Sequence, residues 1–286
     1  MKTGVIDIGS NSVRLAILAD GKTLYKKLET TRLAEGLSKK GRLTQKSIER
    51  TAAAVNAFNT QAISEGAERV YAFATAAVRS AENGNDLVAR VKQVCNLTVD
   101  VISGELAAEI GVIGALGTND GGVIDIGGAS FEVIVKNDGA NIFAKSIDMG
   151  AVRLKDVAGY DREKMENVIS EKLEGLGKFT AGRHKMYAIG GTATSIAALK
   201  HGFYNPEITH GTVLTVGEVE RYANELLTMT VEEVRALGGM QYERADVIGG
   251  GCLLLARLMQ KLKIKSLTVS EADNLEGYYA LKEGAK

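Results

Sequence analysis

Two short segments of this chain have the residues to bind an anion and a cation together. Val5-Ile6-Asp7-Ile8-Gly9 recurs as Val123-Ile124-Asp125-Ile126-Gly127, so that Asp7 is matched by Asp125, 118 positions further on. Each copy is an apolar run that ends in Asp-x-Gly and turns on small residues, Ser10-Asn11-Ser12 in the first and Gly128-Ala129-Ser130 in the second. Such a turn leaves backbone N–H groups free to cradle an anion, and the aspartate can hold a cation that bridges to it. Either copy alone would be an ordinary hairpin turn, which Gly and Ser suit in any case. The register holds through the turn serines, however, and an internal repeat of this kind implies two similar domains facing one another across a phosphate site.

Three other places could join that site. Gly190-Gly191-Thr192 follows a short apolar run and opens a helical pattern, so its N–H groups and the helix dipole can receive an anion. Arg79, in Ala76-Ala77-Val78-Arg79-Ser80, follows another strand end and could clamp a phosphate bidentately; most arginines so placed are simply solvated. Glu132 lies just past the second turn. It is either within reach of a cation held by Asp125 or an outward-facing strand residue.

The elements that must position these residues alternate between strand and helix. Met1 to Leu18 reads as a strand and its hairpin partner, with another strand at Thr23 to Glu29. Thr44 caps a helix running to about Ala62, with Ile48, Ala52, Val55 and Phe58 on one face. Strands at 70–74 and 97–102 bracket a helix carrying Leu87, Val88, Val91 and Val94, and Ser103-Gly104 opens another helix to about Leu116. Thr118 to Gly122 is a turn-rich joint. We therefore expect two α/β domains, residues 1–118 and 119–286, each with a mixed sheet. The second repeats the scheme, with strands near 122–127, 131–136 and 141–147, a helix near 162–178 and a strand at 186–189. The C-terminal third reads as helical apart from a strand at Ser266 to Ser270. Its last helix, about Asn274 to Leu281, is a candidate to pack back on the first domain.

Bulk properties permit this scheme without selecting it. The 286 residues suffice for two domains of ordinary size, and 45% hydrophobic with 24% charged residues is typical of a soluble globular protein. Lys+Arg and Asp+Glu both total 35, so no bulk attraction to nucleic acid is indicated. No apolar run approaches the length that spans a bilayer, and the chain enters a strand too early for a signal peptide. Cys95 and Cys252 make neither a disulfide framework nor a metal knuckle. The cytoplasm is the expected compartment.

The order and spelling of the segments resemble a known family. Asp7-Ile8-Gly9-Ser10-Asn11-Ser12-Val13-Arg14-Leu15, Arg32-Leu33-Ala34-Glu35-Gly36-Leu37, Ala74-Thr75-Ala76-Ala77-Val78-Arg79 and Val101-Ile102-Ser103-Gly104-Glu105 come first. Asp125-Ile126-Gly127-Gly128, Met149-Gly150-Ala151-Val152-Arg153-Leu154, Gly190-Gly191-Thr192-Ala193-Thr194, Arg244-Ala245-Asp246-Val247-Ile248 and Val269-Ser270 with Glu276-Gly277 follow. Together they are similar to the exopolyphosphatase and guanosine pentaphosphate phosphatase (Ppx/GppA) family of the actin/Hsp70/sugar-kinase superfamily. The resemblance implies two ribonuclease-H-like domains with the active site in the cleft between them. It implies removal of a terminal phosphate from inorganic polyphosphate or guanosine pentaphosphate, with a divalent cation, usually magnesium. By position, Asp7, Gly9, Ser10, Asn11 and Ser12 would form the first phosphate loop and Gly127, Gly128 and Ser130 the second, with Arg79 pointing at the phosphates. Asp125 and Glu132, with Asp7, would face the metal. The chain resembles the short form that lacks a C-terminal His-Asp domain, and dimerisation is common among such relatives.

Two departures from the family pattern bear on chemistry. Where the family writes Ser-Gly-Glu-Glu-Glu-Ala, this chain has Ser103-Gly104-Glu105-Leu106-Ala107-Ala108, and the family's catalytic base falls on Ala107. Glu105, at the first turn of the helix, is the substitute expected here. Glu109 lies two residues beyond Ala107, a rotation of about 200° that turns it elsewhere. Phe131 replaces a threonine, removing a hydroxyl near the phosphates. A slow phosphatase, retaining metal and dipole stabilisation, and a non-catalytic sensor of polyphosphate or alarmone are both consistent with these changes. A kinase of the same superfamily is a third reading, for which no acceptor pocket can be named.

Overall fold

The computed structural model describes residues 1–284, and the repeat seen in the sequence is a repeat in topology. In the first half, β1 (Lys2–Ile8), β2 (Ser12–Ala19), β3 (Lys22–Thr30), β4 (Arg69–Ala74) and β5 (Val99–Val101) make a sheet of order β3-β2-β1-β4-β5. In the second, β6 (Gly121–Ile126), β7 (Phe131–Asn137), β8 (Ala140–Ile147), β9 (Met186–Ile189), β10 (Val213–Thr215) and β11 (Ser266–Val269) make one of order β10-β11-β9-β6-β7-β8. The central strands correspond. β1 pairs antiparallel with β2 and parallel with β4, as β6 pairs with β7 and β9. Both central strands are mostly apolar runs because both of their faces are covered, whereas the edge strands β3 and β8 are largely exposed.

The helices packed on the two sheets include α1 (Gln45–Ser64), α2 (Gly84–Cys95), α3 (Gly104–Leu116), α4 (Ala151–Ala158), α5 (Arg162–Leu173), α6 (Gly190–His201), α7 (Ile248–Lys261) and α8 (Asn274–Glu283). Thr44 caps α1 through the Ser47 N–H, and Ile48, Ala52, Val55, Phe58 and Ala62 fill its buried stripe. Helix α5 ends at Leu173, earlier than the sequence suggests, and a single 3₁₀ turn over Glu174–Leu176 finishes at Gly177, whose φ of 66° reverses the chain. β10 was not expected. Its three residues, only the middle one buried, give no periodic signal before they pair with β11.

Helix α8 leaves the second sheet and lies against α3 at a glycine crossing. A Cβ on Gly277 would fall 1.7 Å from the Ile110 carbonyl oxygen, and one on Gly114 would fall 1.9 Å from that of Asp273. Beyond the crossing, the Tyr278 ring stacks on Phe73 at 4.4 Å, and its hydroxyl donates to Asp100. An apolar seam joins the halves on the other flank, where Ala151, Val152 and Val247 pack into the core of the first. No helix among the described residues is long and apolar enough to cross a membrane.

Candidate functional site

The two Asp-x-Gly turns fold identically. Gly9 N–H donates to the Ser12 carbonyl, and Gly127 N–H to the Ser130 carbonyl, both at 3.0 Å. The loop carbonyls are committed to flanking segments: Ser10 O and Asn11 O accept from Ala34, Thr31 and Arg32, while Gly127 O and Gly128 O accept from Ala151, Val152 and Arg153. The N–H groups of Ser10, Asn11, Gly128 and Ala129 have no acceptor among the described residues. The loops approach so closely that a Cβ on Gly128 would lie 2.8 Å from Ser10 Cβ and 3.4 Å from Asn11 N. Two sets of free donors thus face one another, which is the arrangement an anion requires.

These loops line one cleft of about 860 Å³, its open mouth included. Gly9, Ser10, Asn11 and Ser12 form one wall, and Gly127, Gly128 and Ser130 the other. Gly190, Gly191 and Thr192, at the N-terminus of α6, close the end. Gly190 has φ 77°, and a Cβ there would sit 2.4 Å from Asp125 Oδ1. Asp7, Asp125 and Glu132 also line the cleft, so thirteen of the fifteen residues singled out in the sequence meet in one place. Glu105 does not. It is exposed on α3, and the residue that helix turns into the cleft is Ala107, so the expected substitute base is not at the site. Arg79 does not line the cleft either; its Nη1 donates to the Ile102 carbonyl at 2.9 Å, and its charge is felt at Glu132.

Asp7 and Glu132 are buried and Asp125 is half-buried, and desolvation dominates the electrostatics of all three. Asp125 and Glu132 sit opposite one another in the β6–β7 ladder. Burial, with Asp125 nearby, pushes Glu132 up to about 7, against the opposing effect of the Ser146 and Ser130 hydroxyls that both donate to its Oε1 at 2.7 Å. Burial likewise pushes Asp125 up to about 6. Asp7 is raised by burial even though Arg14 donates to its Oδ2.

The expected metal trio is not gathered into one cage: no group of three or more His, Cys, Asp or Glu side chains among the described residues is placed to hold a metal ion. One oxygen of each carboxylate is already engaged. Asp7 Oδ2 is taken by Arg14, Asp125 Oδ2 by Asn274, and Glu132 Oε1 by two hydroxyls. Asp7 Oδ1, however, is buried with no partner. One unpartnered aspartate oxygen beside a second aspartate, next to an anion nest, fits a hard cation such as magnesium. That ion keeps several waters and takes only one or two carboxylates plus substrate phosphate.

Sequence reasoning missed Arg14, Arg244 and Asn274, which also line the cleft. Arg14 had a legible signal, a lone cation inside the apolar strand Val13 to Ala19. Arg244 forms no ion pair with a carboxylate among the described residues; its Nε donates to Gln241 at 2.7 Å, and its guanidinium lies so close over Gly191 that a Cβ there would be 1.7 Å from Nη1. Burial, with Arg14 adding to it, lowers Arg244 to about 10, which leaves it charged at neutral pH and short of an anion. Asn274 occupies an ordinary helix-start position and carries no signal in sequence.

A profile described as the Ppx/GppA phosphatase family matches residues 6–284. Exopolyphosphatase 2 of Mycobacterium tuberculosis is 28% identical over 315 residues, covering 96% of this chain and 97% of that protein. The guanosine-5'-triphosphate,3'-diphosphate pyrophosphatase of Photobacterium profundum is 27% identical over 95% of this chain and 57% of its own length. Among solved structures, an exopolyphosphatase from Cytophaga hutchinsonii superposes with a TM-score of 0.86 at 26% identity, covering 100% of this chain and 99% of that one. The Aquifex aeolicus PPX-GPPA enzyme gives 0.79 at 27% identity, covering 98% and 99%. The two-domain α/β fold class expected from the sequence is the one these structures have.

Proposed function

The chain belongs to the Ppx/GppA phosphatase family, and we propose that it is a phosphohydrolase releasing the terminal phosphate of inorganic polyphosphate, of guanosine pentaphosphate, or of both. The observation that carries this reading is the pairing of uncommitted loop N–H groups with the Arg244 guanidinium, which forms no ion pair among the described residues, in a cleft that also holds Asp7, Asp125 and Glu132. The loop donors and the α6 N-terminus would bind non-bridging oxygens, and Arg244 would offset charge on the phosphate they hold. Asp7 and Asp125 would hold magnesium, which when bound neutralises the phosphates and aligns them for in-line attack. Ala107 cannot accept a proton. A small void separates it from Asp125 and Glu132, and Glu132, at about 7, has the basicity to take a proton from water in its place. Losing the family's glutamate removes general-base help typically worth ~10²–10⁴-fold, so turnover is slow.

That same void favours a second reading, a regulatory protein that binds polyphosphate or alarmone and hydrolyses neither. Magnesium-dependent phosphate release from long-chain polyphosphate and from guanosine pentaphosphate, with Arg244→Ala as the cleft control, separates the two. Release above background that the variant loses supports the phosphatase; tight binding without release supports the sensor.

A further inference from the structure

The start of α8 touches both halves of the site. Arg14 is shared: Nε and Nη2 donate to Asp7 Oδ2 at 3.0 and 2.5 Å, and Nη1 donates to Asp273 Oδ2 at 2.5 Å. One residue on, Asn274 Nδ2 donates to Asp125 Oδ2 at 2.9 Å. Asp273 is held in turn by its own capping box with Glu276 and by Lys26, 3.5 Å away. Each loop aspartate therefore has one oxygen fixed from behind by the α8 start. Its other oxygen stays uncommitted: Asp7 Oδ1 is buried without a partner, and Asp125 Oδ1 has no donor among the described residues and faces Gly190.

We propose that Asn274 and Asp273 are positioning residues of the cation site, which set the rotamers of Asp125 and Asp7 so that Oδ1 of each is presented to one divalent ion. Asn274 acts directly on Asp125, and Asp273 acts on Asp7 through Arg14. The physical case is the cost of the alternative. A free carboxylate rotates, and two neighbouring carboxylates repel, so without the amide and the guanidinium the uncommitted oxygens would turn apart. Docking of α8 on α3 and assembly of the site become a single event, because the residues that start the helix are those that hold the aspartates. This inference rests on the phosphohydrolase reading for its biological use but not for its test.

The test is magnesium binding measured by calorimetry without substrate, on the full chain, for the wild type, Asn274→Leu and Tyr278→Phe. Asn274→Leu keeps the side-chain shape and removes the donor. Tyr278→Phe loosens the far end of the same helix from Asp100 without touching the aspartates. Loss of a second-layer hydrogen bond typically weakens metal affinity ~10–100-fold. The expected result is that loss for Asn274→Leu at an unchanged binding stoichiometry, with Tyr278→Phe lowering the thermal midpoint but binding as the wild type does. Equal affinity in Asn274→Leu and the wild type would overturn the proposal. So would equal losses in both variants, which would mark a merely structural role, and so would a wild type that binds no magnesium. Because phosphate release is not read, a wild type that binds the ion yet hydrolyses nothing would refute the phosphatase reading alone.

Discussion

Replacing Glu132 by glutamine should stabilise this protein at alkaline pH, by an amount that the carboxyl's environment sets. Burial first, and the Asp125 carboxylate opposite it in the ladder second, raise Glu132 from an ordinary 4.5 to about 7. The folded state therefore keeps a proton that the unfolded chain has released between those two values, so stability falls as pH rises through that window and levels off above it. A shift of about 2.5 units at ~1.36 kcal/mol each amounts to ~3 kcal/mol, fully expressed above pH 7. Glutamine carries no charge, and its carbonyl oxygen can still accept from Ser130 and Ser146. Urea unfolding in chelator-treated buffer should show Glu132→Gln and the wild type nearly equal near pH 4.5. At pH 8 the variant should lead by ~2–3 kcal/mol, or by ~5 °C or more in thermal midpoint. A difference that does not change with pH, or a variant less stable at pH 8, would refute the claim that Glu132 is held in a charge-averse environment.

Other expectations follow from the same contacts. Arg244→Ala should weaken polyphosphate binding ~10–100-fold by calorimetry, the worth of a charge-assisted contact, without lowering the thermal midpoint, because the cost of burying the cation outweighs the attraction of Asp125. Gly277→Ala must push α8 off α3, since its Cβ would fall 1.7 Å from Ile110 O; a loss of ~3 kcal/mol in urea unfolding is expected. Glu105→Gln should leave phosphate release unchanged, because Glu105 is exposed outside the cleft.

Much of the site was legible because its parts are local. The repeated turns and Gly190-Gly191-Thr192 each declare a backbone geometry in a few consecutive residues, and all of them meet in the cleft. What stayed hidden depends on contacts distant in sequence. Asn274 reaches Asp125 across 149 positions, and Asp273 reaches Arg14 across 259. Neither pairing leaves a periodic trace. Glu105 was misplaced for a different reason: position along a helix turn, not closeness in sequence, decides what faces a cleft, and the inward position belongs to Ala107. In the fold, strands with both faces covered announced themselves as apolar runs, while β10, three residues on an edge, could not.

The central claim is that this cleft still turns over a terminal phosphate despite Ala107. The direct measurement is the magnesium-dependent rate of phosphate release from end-labelled polyphosphate and from guanosine pentaphosphate, for the wild type beside Ala107→Glu. The expected result is slow release by the wild type, above the magnesium-only background, and a gain of up to ~10²–10⁴-fold in the variant. Release by Ala107→Glu alone, with a wild type that binds but stays silent, would contradict it and make the protein a phosphate binder that has lost its base.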